Sequence, residues 1–256
     1  MNDQLRDRAR RTFVEAHGSW SDGWDVVLEL DPAFVLAYAE MYLVPWRKAH
    51  LSDRFKALVL LSVDAAATHL NTPAVLPHVR RALALGATPA EILEVLELTA
   101  TVGIHAMNIG VPLLVEVLEE RGRTGPEPLD ERREQLKEWF TRERGYWHDF
   151  WNDMLELDPE MFEAYTRFSA TPWKTGPLTP VEKELIYISY DIAATHLYVP
   201  GTKLHIRNAL NHGATVEQVL EVMELASMLG ISSVSTAAPL LARAVAERSG
   251  EDVSGH

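Results

Sequence analysis

The strongest constraint on this chain is that it contains one stretch twice: DAAATHLNTPAVLPH at 64–78 returns as DIAATHLYVPGTKLH at 191–205. The copies lie 127 residues apart, and the same offset relates further matches on both sides. These include LELDP at 28–32 and 155–159, PW at 45–46 and 172–173, and GAT at 86–88 and 213–215. A self-match at one long, fixed offset is typical of a duplicated domain. We therefore predict repeat 1 over residues 1–122, a linker at 123–129, and repeat 2 over 130–256.

Helical signals fill both repeats. The segment RFKALVLLSVDAAATHL at 54–70 has apolar runs too long for a strand, together with helix-favouring alanines. Thr88 and Glu91 have the spacing of a helix N-terminal capping box, and Thr215 and Gln218 repeat it. No stretch alternates apolar and polar residues as a strand would. We predict an all-α fold.

Composition and charge argue against several classes of function. With 24 basic and 37 acidic residues, the chain has a net charge of −13 and lacks the positive surface that nucleic acids and anionic membranes require. The absence of cysteine removes disulfides, thiolate nucleophiles and cysteine-type zinc sites. No apolar run is expected to reach the ~18 residues of a membrane span, and the charged start has no signal-peptide core. We predict a cytoplasmic protein that binds neither nucleic acid nor membrane.

Four histidines recur in register, His69 with His196 and His78 with His205. Histidine exchanges protons near neutral pH, which suits acid/base catalysis. The proline in each THLxxP segment is predicted to end one helix and begin the turn to the next. Such a corner would direct both histidines of a repeat toward one cleft. A structural role in the core would also explain the recurrence, and that alternative stays open.

Acidic residues accompany these histidines. Asp64 and Asp191 lie in apolar stretches, so each needs a partner or a shifted pKa. Glu184 is predicted to lie on the same helical face as Asp191, whereas repeat 1 has Ala57 at the equivalent position. Each aspartate is either part of a site or a structural residue that accepts a hydrogen bond from a neighbouring helix or a nearby threonine.

The stretch at 183–231, with its KELI start, KLHIRNAL helix, GAT break and VEQVLEVMELA helix, resembles the carboxymuconolactone decarboxylase and alkylhydroperoxidase D-like superfamily. Residues 56–104 match more loosely. The resemblance implies two alkylhydroperoxidase D-like helical domains. In the family such domains pair into dimers, so a tandem chain would form an intramolecular pseudo-dimer.

The resemblance also implies roles for individual residues. Glu184 and His205 match the glutamate and histidine of the peroxidase-like branch, but the cysteines of that branch are missing, so we predict that the chain is not a thiol peroxidase. In the decarboxylase branch, His205 within KLH matches the catalytic histidine, and His78 is its counterpart in repeat 1. His69 and His196 lie in a connection that is longer than is usual in the family.

The activity that the resemblance implies is that of a cofactor-free lyase acting on a small carboxylated or lactone-type metabolite. Such an enzyme needs donors for a developing oxyanion and an acid that returns a proton to carbon. We assign the acid/base role to His205, the oxyanion or carboxylate contact to His196, and the orientation of a histidine to Glu184 or Asp191. In repeat 1 the candidates are Asp64, His69 and His78. Repeat 2 is predicted to be the more competent copy, because repeat 1 lacks the glutamate.

Two other classes of function remain. The histidines and aspartates could bind zinc, nickel or iron as a metalloenzyme, although no HxxxH or HExxH spacing supports this. Alternatively, the chain is a non-catalytic binding or structural module. An enclosed, partly apolar pocket lined by the histidines would distinguish an enzyme from a module in which the histidines are packed solid.

A homo-oligomer is the last expectation. Dimers in the family often assemble into rings of three pairs, so we predict a trimer of tandem chains with closed symmetry. The tryptophan-rich segments at 20–46 and 147–173 are the candidates for contacts between chains.

Overall fold

The computed structural model describes residues 2–249, and all regular secondary structure in that range is helical, which confirms the all-α prediction. In the first half the helices are α1 (Asn2–His17), α2 (Asp25–Leu30), α3 (Pro32–Arg47), α4 (Asp53–Ala65), α5 (Thr72–Ala84), α6 (Pro89–Ala100) and α7 (His105–Glu120). In the second half they are α8 (Glu131–Arg144), α9 (Asn152–Leu157), α10 (Pro159–Thr175), α11 (Pro180–Asp191), α12 (Val199–Asn211), α13 (Val216–Ser227) and α14 (Ser232–Ser249).

The predicted start of α6 is confirmed in detail. The side chain of Thr88 accepts a hydrogen bond from the Glu91 backbone, and the Glu91 carboxylate accepts one from the Thr88 backbone. Thr215 and Gln218 form the same capping box at α13. These reciprocal bonds satisfy backbone donors that a helix start leaves unpaired.

The helix predicted over 54–70 is shorter than expected, because α4 ends at Ala65. The remaining residues form a turn in which Leu70 has φ +44°, and Leu197 in the second copy has φ +52°. This left-handed backbone conformation is unfavourable for leucine. The THLxxP segments therefore end their helices, as predicted, and reverse the chain sharply toward α5 and α12.

Helices α4 and α11 contact each other at the centre of the molecule. Ser62 in α4 and Ser189 in α11, which are equivalent residues of the two repeats, form a hydrogen bond to each other. Two buried ion pairs flank this contact symmetrically: Lys56 with Glu221 at 3.3 Å and Lys183 with Glu94 at 2.6 Å. Such reciprocal contacts are the signature of an isologous interface. The two repeats thus form the predicted intramolecular pseudo-dimer.

The last helix of each repeat packs against the other repeat. Helix α7 contacts α9, and α14 contacts α2 and the short 3₁₀ turn Asp22–Trp24. At that second contact Gly23 approaches Pro239 so closely that a Cβ on Gly23 would lie 3.0 Å from the proline ring. This exchange of helices places the first residues of α7 beside the repeat 2 histidines.

The tryptophans contribute to the interior more than to the outer surface. Trp24 and Trp151 are buried, each packing against aromatic residues of its own repeat. Large exposed apolar side chains lie on α7 and α14, including Leu113 and its equivalent Leu240, and also within the tryptophan-rich segments, as at Phe34 and Phe168. Trp24 and Trp151 belong to the core, and a contact between chains through the rest of these segments stays a prediction.

Two continuous helical stretches, Pro89–Glu120 and Val216–Arg248, are long and apolar enough to cross a membrane, judged by length and composition alone. The expectation that no stretch reaches this length is therefore wrong. The finding is weak evidence for a span, because core helices of proteins outside membranes meet the same criteria.

Candidate active site

A buried carboxylate–imidazole pair joins α11 to α12. His205 Nδ1 lies 2.6 Å from Glu184 Oε2, and Asn208 Nδ2 donates to Glu184 Oε1 at 3.3 Å. Glu184 is 1 % exposed and His205 is 7 % exposed. Residues 205 and 208 are separated by one helical turn, so one face of α12 presents both to α11. Of the two residues predicted to orient a histidine, Glu184 and Asp191, Glu184 is the one that contacts the ring of His205.

The second histidine of repeat 2 pairs with a residue from repeat 1. His196 lies in the turn after α11, and its Nε2 is 2.6 Å from Nδ1 of His105, the first residue of α7. The rings of His105 and Tyr198 stack with centroids 3.8 Å apart. Burial, followed by the proximity of His196 and His205, lowers the pKa of His105 to about 3. His105 is therefore a neutral imidazole at physiological pH.

Asp191, the last residue of α11, is completely buried, and neither of its carboxylate oxygens has a hydrogen-bond partner within the described part of the chain. His105 Nε2 is 3.8 Å from Asp191 Oδ1. Burial raises the pKa of Asp191 to about 7, while the nearby His205 lowers it and Glu184 raises it further. Thr195 lies beyond the end of the helix and is exposed, so the structural alternative of a threonine hydrogen bond is wrong for Asp191.

A small cavity lies beside these residues. Its wall includes His105, Arg144, Tyr187, Tyr198 and His205. The space open to the centre of a water molecule is about 20 Å³, which is room for about one water. The cavity contains side chains from both repeats, so the enclosed site belongs to the pseudo-dimer rather than to repeat 2 alone.

Arg144, at the end of α8, brings a buried positive charge to the cavity wall. Arg144 is 6 % exposed, and its guanidinium donates to the Ser169 carbonyl at 2.9 Å and to the Tyr187 hydroxyl at 3.3 Å. Both acceptors are neutral. A buried guanidinium with neutral partners favours binding of a carboxylate, because arginine pairs with carboxylates through parallel hydrogen bonds.

The repeat 1 residues are also brought together, but in a different arrangement. His78 Nε2 lies 2.7 Å from Asp64 Oδ2, and His69 Nε2 lies 3.2 Å from Asp64 Oδ1. Asn71 donates to Asp64 at 3.1 Å and to Ser232, in α14 of repeat 2, at 3.0 Å. Asp64 thus has the neighbouring partners that Asp191 lacks. The equivalent of Glu184 is the buried Ala57, so the histidine of α5 pairs with the aspartate.

The structure thus places all seven predicted site residues in two clusters, one in each repeat. In repeat 2, His205 lines the cavity, Glu184 contacts His205, and Asp191 and His196 lie beside the cavity residue His105. In repeat 1, His69 and His78 both contact Asp64. Two further residues were not predicted. His105 has a serine as its in-register copy, and Arg144 has His17. Two features of the sequence could have indicated these residues. His105 is a histidine without a counterpart in the other repeat, and Arg144 directly precedes Gly145, which ends α8 in the left-handed conformation.

Comparisons with known proteins agree with this architecture. The sequence profile of the carboxymuconolactone decarboxylase family matches residues 159–244. Among curated proteins, none is significantly similar in sequence to this chain. A crystal structure from Burkholderia xenovorans superimposes with a TM-score of 0.91 at 52 % sequence identity, covering 97 % of this chain and 98 % of the other. That protein is described as a proposed gamma-carboxymuconolactone decarboxylase subunit.

Proposed function

The chain belongs to the carboxymuconolactone decarboxylase family, and we propose that it is a carbon–carbon lyase that removes CO₂ from a small carboxylated, lactone-type metabolite by histidine acid/base chemistry. The family relationship supports the decarboxylase-like class of function. The assignment of the chemistry to particular side chains is our proposal.

The observation that carries the proposal is the buried hydrogen bond between Glu184 Oε2 and His205 Nδ1. An imidazole that donates its Nδ1 proton to a carboxylate is fixed in one tautomer and keeps Nε2 for a reacting group. His205 lines the cavity, so Nε2 is the nitrogen that we assign to proton transfer with the substrate.

In the proposed step the bond between a substrate carbon and its carboxylate breaks, and CO₂ leaves. The electron pair moves into the conjugated carbonyl, which becomes an enolate oxyanion. Protonated His205 then gives its Nε2 proton to carbon as the carbonyl re-forms, and water restores the proton to the histidine. The step needs a stabilised oxyanion and one proton donor, which side chains can provide.

Arg144 is the residue that we assign to the negative charge of the substrate. Sequence alone suggested His196 for this contact, but Nε2 of His196 faces His105, whereas the buried guanidinium of Arg144 lies on the cavity wall. Because the cavity holds about one water, a substrate must displace lining side chains as it enters.

The test is turnover of a panel of lactone acids, including gamma-carboxymuconolactone, followed by CO₂ release. We expect His205→Ala to lower kcat by about 10²- to 10⁴-fold, the usual contribution of a positioned acid or base. Glu184→Gln should lower kcat less, because an amide still contacts the ring but does not stabilise its charged form. His78→Ala is the matched substitution in repeat 1 and should reduce activity far less than His205→Ala.

Circular dichroism must show that each variant is folded. Full turnover by a folded His205→Ala variant would refute the assignment. If no lactone acid is consumed, a thermal-shift screen of small carboxylates with wild-type protein and Arg144→Gln would show whether Arg144 binds such anions.

A further inference from the structure

We propose that His105, Asp191 and His196 bind one divalent transition-metal ion per chain. One nitrogen from each histidine and one carboxylate oxygen all lie within 4.8 Å of one another. His105 comes from repeat 1 and the other two residues from repeat 2, so the site would exist only in the paired repeats.

The spacing of the donor atoms is close to what such an ion needs. Metal–nitrogen and metal–oxygen bonds of about 2.1 Å hold neighbouring ligand atoms about 3.0–3.4 Å apart at octahedral or tetrahedral angles. His105 Nδ1 and His196 Nε2, at 2.6 Å, are closer than this because they contact each other directly, and the donor atoms as a group lie within 4.8 Å. Entry of an ion between the two rings, with side-chain shifts of roughly an ångström, would complete the coordination.

The carboxylate of Asp191 is the observation that points to a cation. Other buried carboxylates in the molecule have a nitrogen partner: Glu94 has Lys183 at 2.6 Å, and Glu184 has His205 at 2.6 Å. Both oxygens of Asp191 lack a hydrogen-bond partner among the described residues, as do both oxygens of the buried Glu221. Glu221, however, has the Lys56 ammonium at 3.3 Å, whereas Asp191 has the His105 imidazole at 3.8 Å. Burying an ionised carboxylate in this way is costly unless a positive charge lies beside it. A metal ion would supply that charge.

The surroundings hold these ligands in place. Tyr198 stacks on the ring of His105 and fixes its plane. Gly201 allows Asp191 to lie close to α12, because a Cβ on Gly201 would lie 2.3 Å from Asp191 Oδ2. Ala74 is the equivalent residue in repeat 1. Supporting contacts that orient the ligands are a general requirement of metal sites.

Repeat 1 provides an internal comparison. Each cluster receives one residue from the opposite repeat. In repeat 2 this residue is His105, and in repeat 1 it is Ser232, whose Oγ lies 3.2 Å from His69 Nε2. Asp64 is already paired with His78 and Asn71. Repeat 1 therefore lacks one nitrogen donor and has a satisfied carboxylate. This asymmetry predicts one ion per chain rather than two.

The donor set indicates the class of ion. Two imidazole nitrogens and one carboxylate oxygen suit zinc, cobalt, nickel or ferrous iron better than calcium or magnesium, which prefer oxygen ligands. His196 is only partly buried, so it provides a route from solvent to the site. The proposal does not rest on the proposed lyase function, because binding is measured on the protein without substrate.

The experiment uses the full chain purified without a histidine tag and stripped with a chelator. The protein is incubated with excess Co²⁺, desalted and analysed for metal, and the visible absorption of bound Co²⁺ is recorded. We expect about one ion per chain and a visible spectrum typical of mixed nitrogen and oxygen ligands. His105→Ser and Asp191→Asn should each lower the bound Co²⁺ at least tenfold.

His69→Ala is the matched control, because His69 is the repeat 1 equivalent of His196, and it should keep one ion. His105→Ser introduces the residue that the chain itself has at the equivalent position, so it decides the question even if Asp191→Asn fails to fold. Wild-type protein with less than about 0.1 Co²⁺ per chain, or undiminished Co²⁺ in folded His105→Ser, would overturn the proposal. Metal-free protein that consumes a lactone acid at full rate would leave the lyase proposal standing.

Discussion

The hydroxyl groups of Ser62 and Ser189 are hydrogen-bonded to each other, although the two serines are the same position of the two repeats. A residue that contacts its own copy lies on the axis relating the copies. Both side chains are fully buried, and each also contacts a carbonyl of its own helix, Val59 or Ile186. The pair therefore joins the repeats at the centre of the core.

We predict that these two serines are energetically coupled. Ser62→Ala and Ser189→Ala should each lower the free energy of unfolding by about 1 kcal/mol, the usual net value of one hydrogen bond. The double variant should cost less than the sum of the single variants, because either substitution already removes the shared bond. Urea unfolding of all four proteins measures the coupling. Strict additivity would contradict the contact.

A second prediction concerns the buried ion pair between Lys183 and Glu94. Lys183→Met leaves the carboxylate of Glu94 buried without its charge partner and should destabilise the protein by about 3–5 kcal/mol. Combining it with Glu94→Gln should recover much of that loss, because the amide is neutral and its oxygen can still accept from the Leu178 backbone, which now donates to Glu94 at 2.7 Å.

Unfolding in guanidinium chloride measures these differences. Arg243→Met is a suitable surface control, since Arg243 forms an exposed ion pair with Glu247 and should change stability by less than about 1 kcal/mol. A Lys183→Met variant as stable as this control would show that the buried pair contributes little.

A third prediction is that His17 makes the protein sensitive to acid. Its ring stacks on Phe13 with centroids 4.3 Å apart, and its Nε2 lacks a hydrogen-bond partner among the described residues. Burial, with the nearby Arg81 and His78, lowers the pKa of His17 from 6.5 to about 3. Below pH 6.5 the unfolded chain therefore binds a proton at His17, whereas His17 in the folded chain stays neutral until the pH approaches 3. The stability contributed by neutral His17 is complete above pH 6.5 and is lost as the pH falls toward 3.

His17→Phe should remove this loss while it keeps the aromatic stacking. Between pH 7 and pH 5 the variant should lose about 2 kcal/mol less of its unfolding free energy than wild type. Urea unfolding at both pH values measures this difference. Equal losses in the two proteins would mean that His17 does not remain neutral in the folded state.

A fourth prediction concerns assembly. We propose that copies of the chain associate through the exposed leucines of α7 and α14, which recur at equivalent positions of both repeats. They are 48–62 % exposed: Leu113, Leu114, Leu240 and Leu241. Apolar surface repeated in this way is typical of contacts between subunits. A trimer of chains is the expected particle, and light scattering should give about three times 28.7 kDa.

Leu114→Glu combined with Leu241→Glu should reduce the particle to a single chain without loss of helical content. A wild-type particle of 28.7 kDa at micromolar concentration would contradict the proposed assembly.

The repeat could be predicted because it is a match within the sequence itself, and the capping boxes and helix-ending turns could be predicted because each depends on residues close in the chain. The contact between Glu184 and His205 was suggested only by the family resemblance. Its geometry requires α11 and α12 to pack side by side, which no local pattern specifies.

His105 could not be assigned for a more specific reason. Comparing the repeats in register pairs His105 with Ser232 and so treats the histidine as unmatched. The folded chain instead places His105 against His196 of the opposite repeat. Arg144 was missed because a charged residue at a helix end usually lies in solvent and complements the helix dipole, whereas this one is buried.

The exchange of α7 and α14 between the repeats limits how the duplicated gene can diverge. A duplication normally supplies a spare copy, in which one half accumulates changes while the other keeps the original role. Here the codon for His105 belongs to the first half, but its side chain completes a wall of the cavity in the second half. A chain limited to the second half would lack that wall, so a substitution in either half of the gene can change the same cavity.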